Sequence, residues 1–249
     1  MSGEISTWSR PSSVPFPTVW RKYEGTSQMA DGKKPKFVIQ DLTEDLLEDV
    51  IELMCFTFCK EESIFGSVRI TEDPVSLNEL GEFFRRMWRD KVAVVALLDD
   101  GSSNPRIAGF NMLCICRKQD KFCIDDYKGP ALRTVLRDLL GYAANYVNIF
   151  EHYDVKEYLG AFGLFVHPDF RRQGLAAELL RARENLCKSV GLQATMTFFT
   201  SLGGHNSGHK AGLDLLAEIP YNVFKTEDGQ EVYPGIQPKS IKVMGTSYR

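Results

Sequence analysis

The chain has no apolar run long enough to cross a membrane. Its first residues, MSGEISTWSRPSSVPFPTVWRKYEG, lack the apolar stretch of a secretory signal, and their prolines interrupt any Arg-rich targeting helix. A cytoplasmic protein without membrane contact is therefore expected. Large net charge is missing too: the formal value is -3, which gives no general basic surface for nucleic acid. Three site signatures are absent. There is no G-x-G-x-x-G, no G-K-[ST] and no G-x-S-x-G, so dinucleotide-binding, P-loop and Ser-hydrolase readings lose their usual anchors. The six cysteines fall mostly in apolar segments, as reduced buried thiols do. Cys114 and Cys116 would point the same way from a strand, but no second Cys or His pair accompanies them, so no metal is expected. Internal repeats and low-complexity tracts are also lacking.

What is present is an ordinary globular composition, 43% hydrophobic and 25% charged over 249 residues, enough for one decorated domain with a packed core. Residues 1–35 are rich in Ser, Pro, Gly and Lys and read as a mobile arm, docking locally through Phe16, Trp20 or Tyr23. Residues 36–249 read as the single domain. KFVIQDL is strand-like. The following LTEDLLEDVIELMCFTFCKEE carries apolar residues at helical spacing, with Thr43 at its cap position. VSLNELGEFFRRMWRD predicts a second helix. Two apolar runs around DDGSSNP predict a hairpin. GPALRTVLRDLLGYAANYVNIFEHY reads as one long helix or a pair. YLGAFGLFVHP is apolar on both faces, as a central strand is. GLAAELLRARENLCKSVG puts Leu175, Leu179, Leu186 and Val190 on one side and closes at Gly191. LQATMTFFT is another strand, HNSGHKAGLDLLAEI a short helix, and Ile241–Met244 a last strand. The order β-α-α-β-β-α-β-α-β-α-β predicts a mixed sheet with helices on both faces, an α/β or α+β fold.

The most informative stretch is LFVHPDFRRQGLA. A buried strand ends at Val166, the chain turns, and Arg171, Arg172, Gln173, Gly174, Leu175 and Ala176 lead into a helix. A helix N-terminus offers unpaired N–H groups and the positive end of the helix dipole. Gly174 lets the backbone approach an anion, Ala176 keeps the first turn small, and the arginines supply bidentate donors. The local pattern suits a pyrophosphate. It also fits a tight-turn glycine beside solvated arginines.

This stretch resembles the acyl-CoA motif of the Gcn5-related N-acetyltransferases, Arg/Gln-x-x-Gly-x-Gly/Ala after a central strand, with Arg171, Gly174 and Ala176 in register. The resemblance implies the GNAT fold, a mostly antiparallel central sheet flanked by helices. It implies acetyl-CoA as co-substrate, its pyrophosphate on residues 171–176. Its pantetheine arm would pair with Leu164, Phe165 and Val166, and the ATMTFF strand would splay away. FTFCKEESIF and DGQEVYPGIQPKSIKVM are further similar to segments of insect arylalkylamine N-acetyltransferases. That implies a small primary amine as acceptor, attacking directly in a ternary complex, and a monomer or weak dimer. Glu62 is carried over as general base, with Glu61 as its substitute. Without the resemblance, KEES reads first as a solvated helix end. A strand N–H near Phe165 or Val166 would face the developing oxyanion. Ser201, Ser207 and Tyr221 are candidates for the groups that serve the leaving thiolate. His205 and His209, four apart, read as supporting or loop-structural residues. Rings in EFFRRMWRD and GYAANYVNIFEHY could line an amine pocket besides packing the core.

The chain departs from the pattern at Ser63, where the family usually has proline, in a longer glycine-rich segment after ATMTFF, and in the missing L-G-F ending. Acceptors in play are arylalkylamines, polyamines, amino acids and protein amines. A catalytically weak acyl-CoA-binding domain is the reading from a different class.

Overall fold

The computed structural model describes residues 8–249. In chain order these form β1 (Val19–Glu24), β2 (Lys36–Asp41), α1 (Glu44–Glu52), α2 (Cys59–Glu61), α3 (Ser63–Ser67), α4 (Pro74–Trp88), β3 (Val94–Leu98), β4 (Ile107–Arg117), α5 (Pro130–Leu136), α6 (Ile149–His152), β5 (Glu157–Val166), α7 (Leu175–Val190), β6 (Ala194–Phe199), α8 (Leu202–Ala211), β7 (Asp214–Pro220) and β8 (Ser240–Ser247). The strands make one sheet in the order β1-β2-β3-β4-β5-β6-β8-β7. Neighbours are antiparallel except β5 and β6.

Alternation along the strands feeds two cores, one per face. In β3, Val95 and Leu97 join one core while Val94 and Ala96 join the other. The first face takes Leu47, Val50, Phe84 and Leu132 from α1, α4 and α5. The second takes Leu175, Leu179, Ala182, Leu186 and Val190 from α7, the apolar stripe that the sequence spacing predicts. Gly191, at φ 81°, ends that helix in the left-handed conformation.

Three expectations change. The first long helix is not continuous: α1 passes through a wider π-type turn at Leu53–Phe58 into α2, and Glu62 breaks it with ψ 130°. Thr43 sits at the cap position but makes no side-chain cap bond. The helix expected over 205–219 stops at Ala211. Gly212 takes φ 84°, and Asp214–Pro220 pairs with β8 as strand β7 instead. A glycine terminus and a sheet edge with open hydrogen bonds outweigh helical spacing in LDLLAEI. Finally, Val19–Glu24, within the stretch read as an arm, forms the strand β1 on the edge of the sheet. There Trp20 is buried and its indole donates to Asp41 at 2.8 Å.

One buried network fixes the middle of the sheet. Arg183 of α7 has no exposed surface. Its Nε and Nη2 donate to Asn111 Oδ1 at 2.9 and 2.7 Å, and its Nη1 to Thr197 Oγ1 at 2.6 Å and Thr195 Oγ1 at 3.2 Å. Asn111 Nδ2 in turn donates to the Gly163 carbonyl at 2.8 Å. Gly163, at φ 119°, lies in the irregular stretch of β5 where the pairing with β4 shifts. Every one of these partners is neutral, and burial pushes the guanidinium down to about 10.

Replacing Asn111 by Leu removes the acceptor of two of these bonds and leaves a buried charge short of partners. The unfolding free energy should fall by roughly 3 kcal/mol, read from the urea midpoint. A loss below about 1 kcal/mol would mean that the guanidinium finds other partners.

Candidate active site

β5 and β6 run in parallel register only at Leu159, Gly160 and Ala161 against Thr195, Met196 and Thr197. Beyond that point β5 continues to Val166 and β6 to Phe199 without pairing, so the two strands part. The opening is a cleft of about 470 Å³, within the range of small-ligand sites. Leu164, Phe165 and Val166 line it from β5, and Arg171, Arg172, Gly174, Leu175 and Ala176 from the turn and the start of α7. Glu61, Glu62, Ser201 and Ser207 line it as well. The structure thus gathers in one cleft residues that are 146 positions apart in the chain, from Glu61 to Ser207.

Gln173 and Tyr221 stand apart from this lining. The Gln173 side chain is buried and turns the other way, accepting a hydrogen bond from the Ser27 amide at 2.9 Å. Tyr221 is buried, and its hydroxyl donates to the Thr200 carbonyl at 2.8 Å. Burial first, and the charge of Glu62 second, raise its pKa above the ordinary phenol value. It therefore stays protonated and braces Thr200.

The loop has the form an anion site needs. Gly174 is the cap residue of α7, at φ 82°, with no side chain to satisfy the first-turn amides. A Cβ there would lie 2.6 Å from the Tyr23 hydroxyl. Arg172 is also left-handed, at φ 62°. Arg171, Arg172 and Lys210 bring positive charge to the cleft. Arg171 is engaged already: its Nε donates to the Val166 carbonyl at 3.1 Å and its guanidinium pairs with Glu61. Glu61, the substitute base, is thus half of an ion pair across the cleft.

Glu62 is differently placed. Its residue is 9% exposed. Oε2 accepts the amides of Ile64 and Phe65 at 2.9 and 3.0 Å, capping α3, and Oε1 accepts the Thr200 hydroxyl. Burial raises its pKa above the usual glutamate value, against the lowering effect of those hydrogen bonds. The carboxylate is therefore a stronger base than a solvated one while remaining at a cleft wall. Ser63, where the resemblance expects proline, donates from its hydroxyl to the Gln237 carbonyl at 3.0 Å.

The segment after β6 is a helix start. Ser201 caps α8, accepting from the Gly204 amide at 3.2 Å, and Ser207 donates to the Gly203 carbonyl at 2.8 Å. Gly203 and Gly204 leave that wall of the cleft without side chains. His205 is buried with its Nε2 2.9 Å from the Phe199 carbonyl, and burial lowers its pKa. His209 is exposed. Neither histidine lines the cleft. The rings that do are Phe58, Phe165, Phe170, Phe198 and Phe199. Those of EFFRRMWRD and GYAANYVNIFEHY do not: Phe84 is core, and Tyr142 and Tyr146 face solvent. Sequence reasoning also missed Thr200, whose only signal is a hydroxyl directly after a buried strand. It named Tyr23 as a docking ring but not its hydrogen bond to the Gln173 carbonyl, for which no local signal exists. Among the described residues, no group of three or more His, Cys, Asp or Glu converges as metal ligands, and no helix is long and apolar enough to cross a membrane.

Residues 116–207 match the model of the Acetyltransferase (GNAT) family. A structure of the insect putative arylalkylamine N-acetyltransferase 7 of the yellow fever mosquito Aedes aegypti is 30% identical, with a TM-score of 0.89 over 98% of this chain and 100% of that one. Arylalkylamine N-acetyltransferase 2 of Aedes aegypti is 21% identical, with a TM-score of 0.76 over 86% of this chain and 99% of that one. The Drosophila melanogaster polyamine N-acetyltransferase is 17% identical, with a TM-score of 0.70 over 85% and 99%. No curated protein sequence matches the chain. Parting parallel strands above a glycine turn, in a sheet of this order, define an acetyltransferase fold. The chain belongs to the GNAT acetyltransferase family, which uses acetyl-CoA. The cleft suits that molecule, with cationic side chains, a bare helix start and an unpaired strand edge around one volume.

Gly174→Ala places a side chain on a left-handed backbone and into the Tyr23 hydroxyl. Its dissociation constant for acetyl-CoA should rise more than about tenfold by calorimetry, the equivalent of 1.4 kcal/mol. Unchanged affinity would remove the turn from the binding site.

Proposed function

We propose that this protein transfers the acetyl group of acetyl-CoA to the primary amine of a small arylalkylamine, with Glu62 as general base. The observation that carries the reading is the pairing, in one cleft, of a cationic glycine turn with a buried carboxylate whose proton affinity is raised. The two ends attract opposite charges: the turn suits phosphate, and the acidic side suits an ammonium. The aryl preference is supported by Phe58 and Phe165 in the lining, set edge to face at 6.5 Å. It is supported further by the likeness to a protein described as an arylalkylamine N-acetyltransferase.

In this reading the amine arrives charged and must lose a proton before it can attack. Glu62 takes that proton, directly or through a water, at Oε1 beside the Thr200 hydroxyl. A backbone N–H near Phe165 or Val166, in the part of β5 that is not paired with β6, faces the negative charge that builds on the acetyl oxygen. Ser201 and Ser207 serve the departing thiolate from the opposite wall. Acceptors such as polyamines, amino acids or a lysine side chain are the alternatives to be ranked against aryl amines.

Purified protein is incubated with acetyl-CoA and a panel of aryl amines, polyamines, amino acids and a lysine peptide, and free CoA thiol is followed. Thiol release should depend on the amine and be fastest with aryl amines. Fastest release with a polyamine would move the acceptor class, and tight acetyl-CoA binding without release on any amine would support a binding domain instead. The pH profile tests the base. A raised pKa keeps Glu62 protonated to higher pH, so kcat/KM should rise along a limb above the ordinary glutamate value of about 4.3. Glu62→Gln should lose that limb and lower kcat by about 100-fold. Retention of the limb would assign the proton elsewhere.

A further inference from the structure

We propose that β1 and the turn after it splint the acyl-CoA turn, with Tyr23 and Thr26 as positioning residues that hold its amides toward the phosphate. This rests on the reading of residues 171–176 as the acyl-CoA site. The Tyr23 hydroxyl donates to the Gln173 carbonyl at 2.7 Å. The Thr26 hydroxyl donates to the Arg172 carbonyl at 3.1 Å. The Ser27 amide donates to Gln173 Oε1 at 2.9 Å. Two consecutive carbonyls of the turn, and the side chain between them, are thereby drawn to the β1 side.

The geometry of the peptide group gives this a consequence. In a trans peptide the carbonyl and the following N–H point in opposite directions. Holding the Arg172 carbonyl toward Thr26 turns the Gln173 N–H away from it. Holding the Gln173 carbonyl toward Tyr23 does the same for the Gly174 N–H. Both N–H groups then face away from β1, the side on which an anion would sit. Freed from Tyr23 and Thr26, either peptide can rotate and present its carbonyl to the pyrophosphate instead.

The backbone here needs outside support. Arg172 stands at φ 62°, a conformation that residues with a side chain adopt only when their surroundings impose it. Gly174 must lack a side chain both for its φ of 82° and because the Tyr23 hydroxyl occupies the place of a Cβ. Tyr23 is itself held by stacking on Phe37, ring centroids 6.4 Å apart, and burial keeps it a protonated donor. Arg21 of the same strand pairs at 2.7 Å with Glu178 in the first turn of α7, offsetting a carboxylate near the anion site. Four positions, Arg21 and Tyr23 of β1 and Thr26 and Ser27 of the turn behind it, therefore converge on the start of α7.

The test uses the full chain with Tyr23→Phe, Thr26→Val and the double variant. Tyr23→Phe keeps the ring and removes one oxygen, so this variant should melt close to the parent. Acetyl-CoA affinity is measured by calorimetry, and kinetics are run with acetyl-CoA and with S-acetylpantetheine, which has no pyrophosphate. The double variant should raise Kd and KM for acetyl-CoA by about tenfold, two hydrogen bonds' worth. Its kcat, and its KM for S-acetylpantetheine, should stay within about twofold, the difference that 0.4 kcal/mol makes. Parental affinity for acetyl-CoA in the double variant overturns the proposal. An equal loss with S-acetylpantetheine also overturns it, because the effect would then not pass through the pyrophosphate. Failure of the parent protein to bind acetyl-CoA would instead remove the underlying assignment of the turn.

Discussion

A guanidinium taken fully out of water, with only an amide and two hydroxyls to receive its protons, is what the centre of this protein is built around. Arg183 joins α7 to β4 and β6, and through Asn111 to the Gly163 carbonyl of β5. These are the elements that must stay fixed where β5 and β6 separate. A parallel pair held at three positions has little hydrogen bonding of its own to define where it opens. The polar network defines it instead, and it succeeds because its geometry admits few alternatives. The cleft, the glycine turn on the helix that carries Arg183, and the irregular stretch of β5 all inherit their relative positions from that clamp.

Around the clamp the cleft is polarised. Arginines and a helix start lie toward one end and carboxylates toward the other, bridged by the Arg171–Glu61 pair. That pair is about two-fifths exposed on each side, so water screens it and its separation costs little. The same is untrue of Glu62. Its carboxylate is enclosed, and three donors within the fold fix its orientation. Two neighbouring glutamates thus divide into one that is exchangeable and one that is held, although their local sequence is nearly the same.

How much of this could be read from the sequence depended on whether the signal was local. The buried strand, the turn and the helix over 157–190 were legible because hydrophobic period, turn residues and the Gly174 position all lie within one stretch. The apolar face of α7 was legible for the same reason. The β7 strand was not, since the spacing in LDLLAEI reads as helical and its state is decided instead by the free edge of β8. Gln173 reads in the sequence as one with its neighbours, yet its side chain answers to Ser27, 146 positions earlier in the chain. Thr200 gained its place through Glu62 and Tyr221, and Tyr23 through a sheet edge that brings it to the turn. The inward position of Arg183 was legible, since it lies four after Leu179 and three before Leu186 on the apolar stripe while Arg181 falls off it, but its partners on β4 and β6 were not. Local chemistry was visible in the sequence; the partners that fix it were not.

Glu62 caps α3 with the same carboxylate assigned to receive the substrate's proton. A neutral carboxyl caps a helix less well than a charged one, because the two amides of Ile64 and Phe65 then bond to an oxygen that carries less charge. In the proposed cycle each arriving proton therefore slackens the first turn of α3, and each departing one tightens it. The acceptor wall would keep time with the chemistry: catalysis would be felt as a small, repeating change in the tension of a single helix.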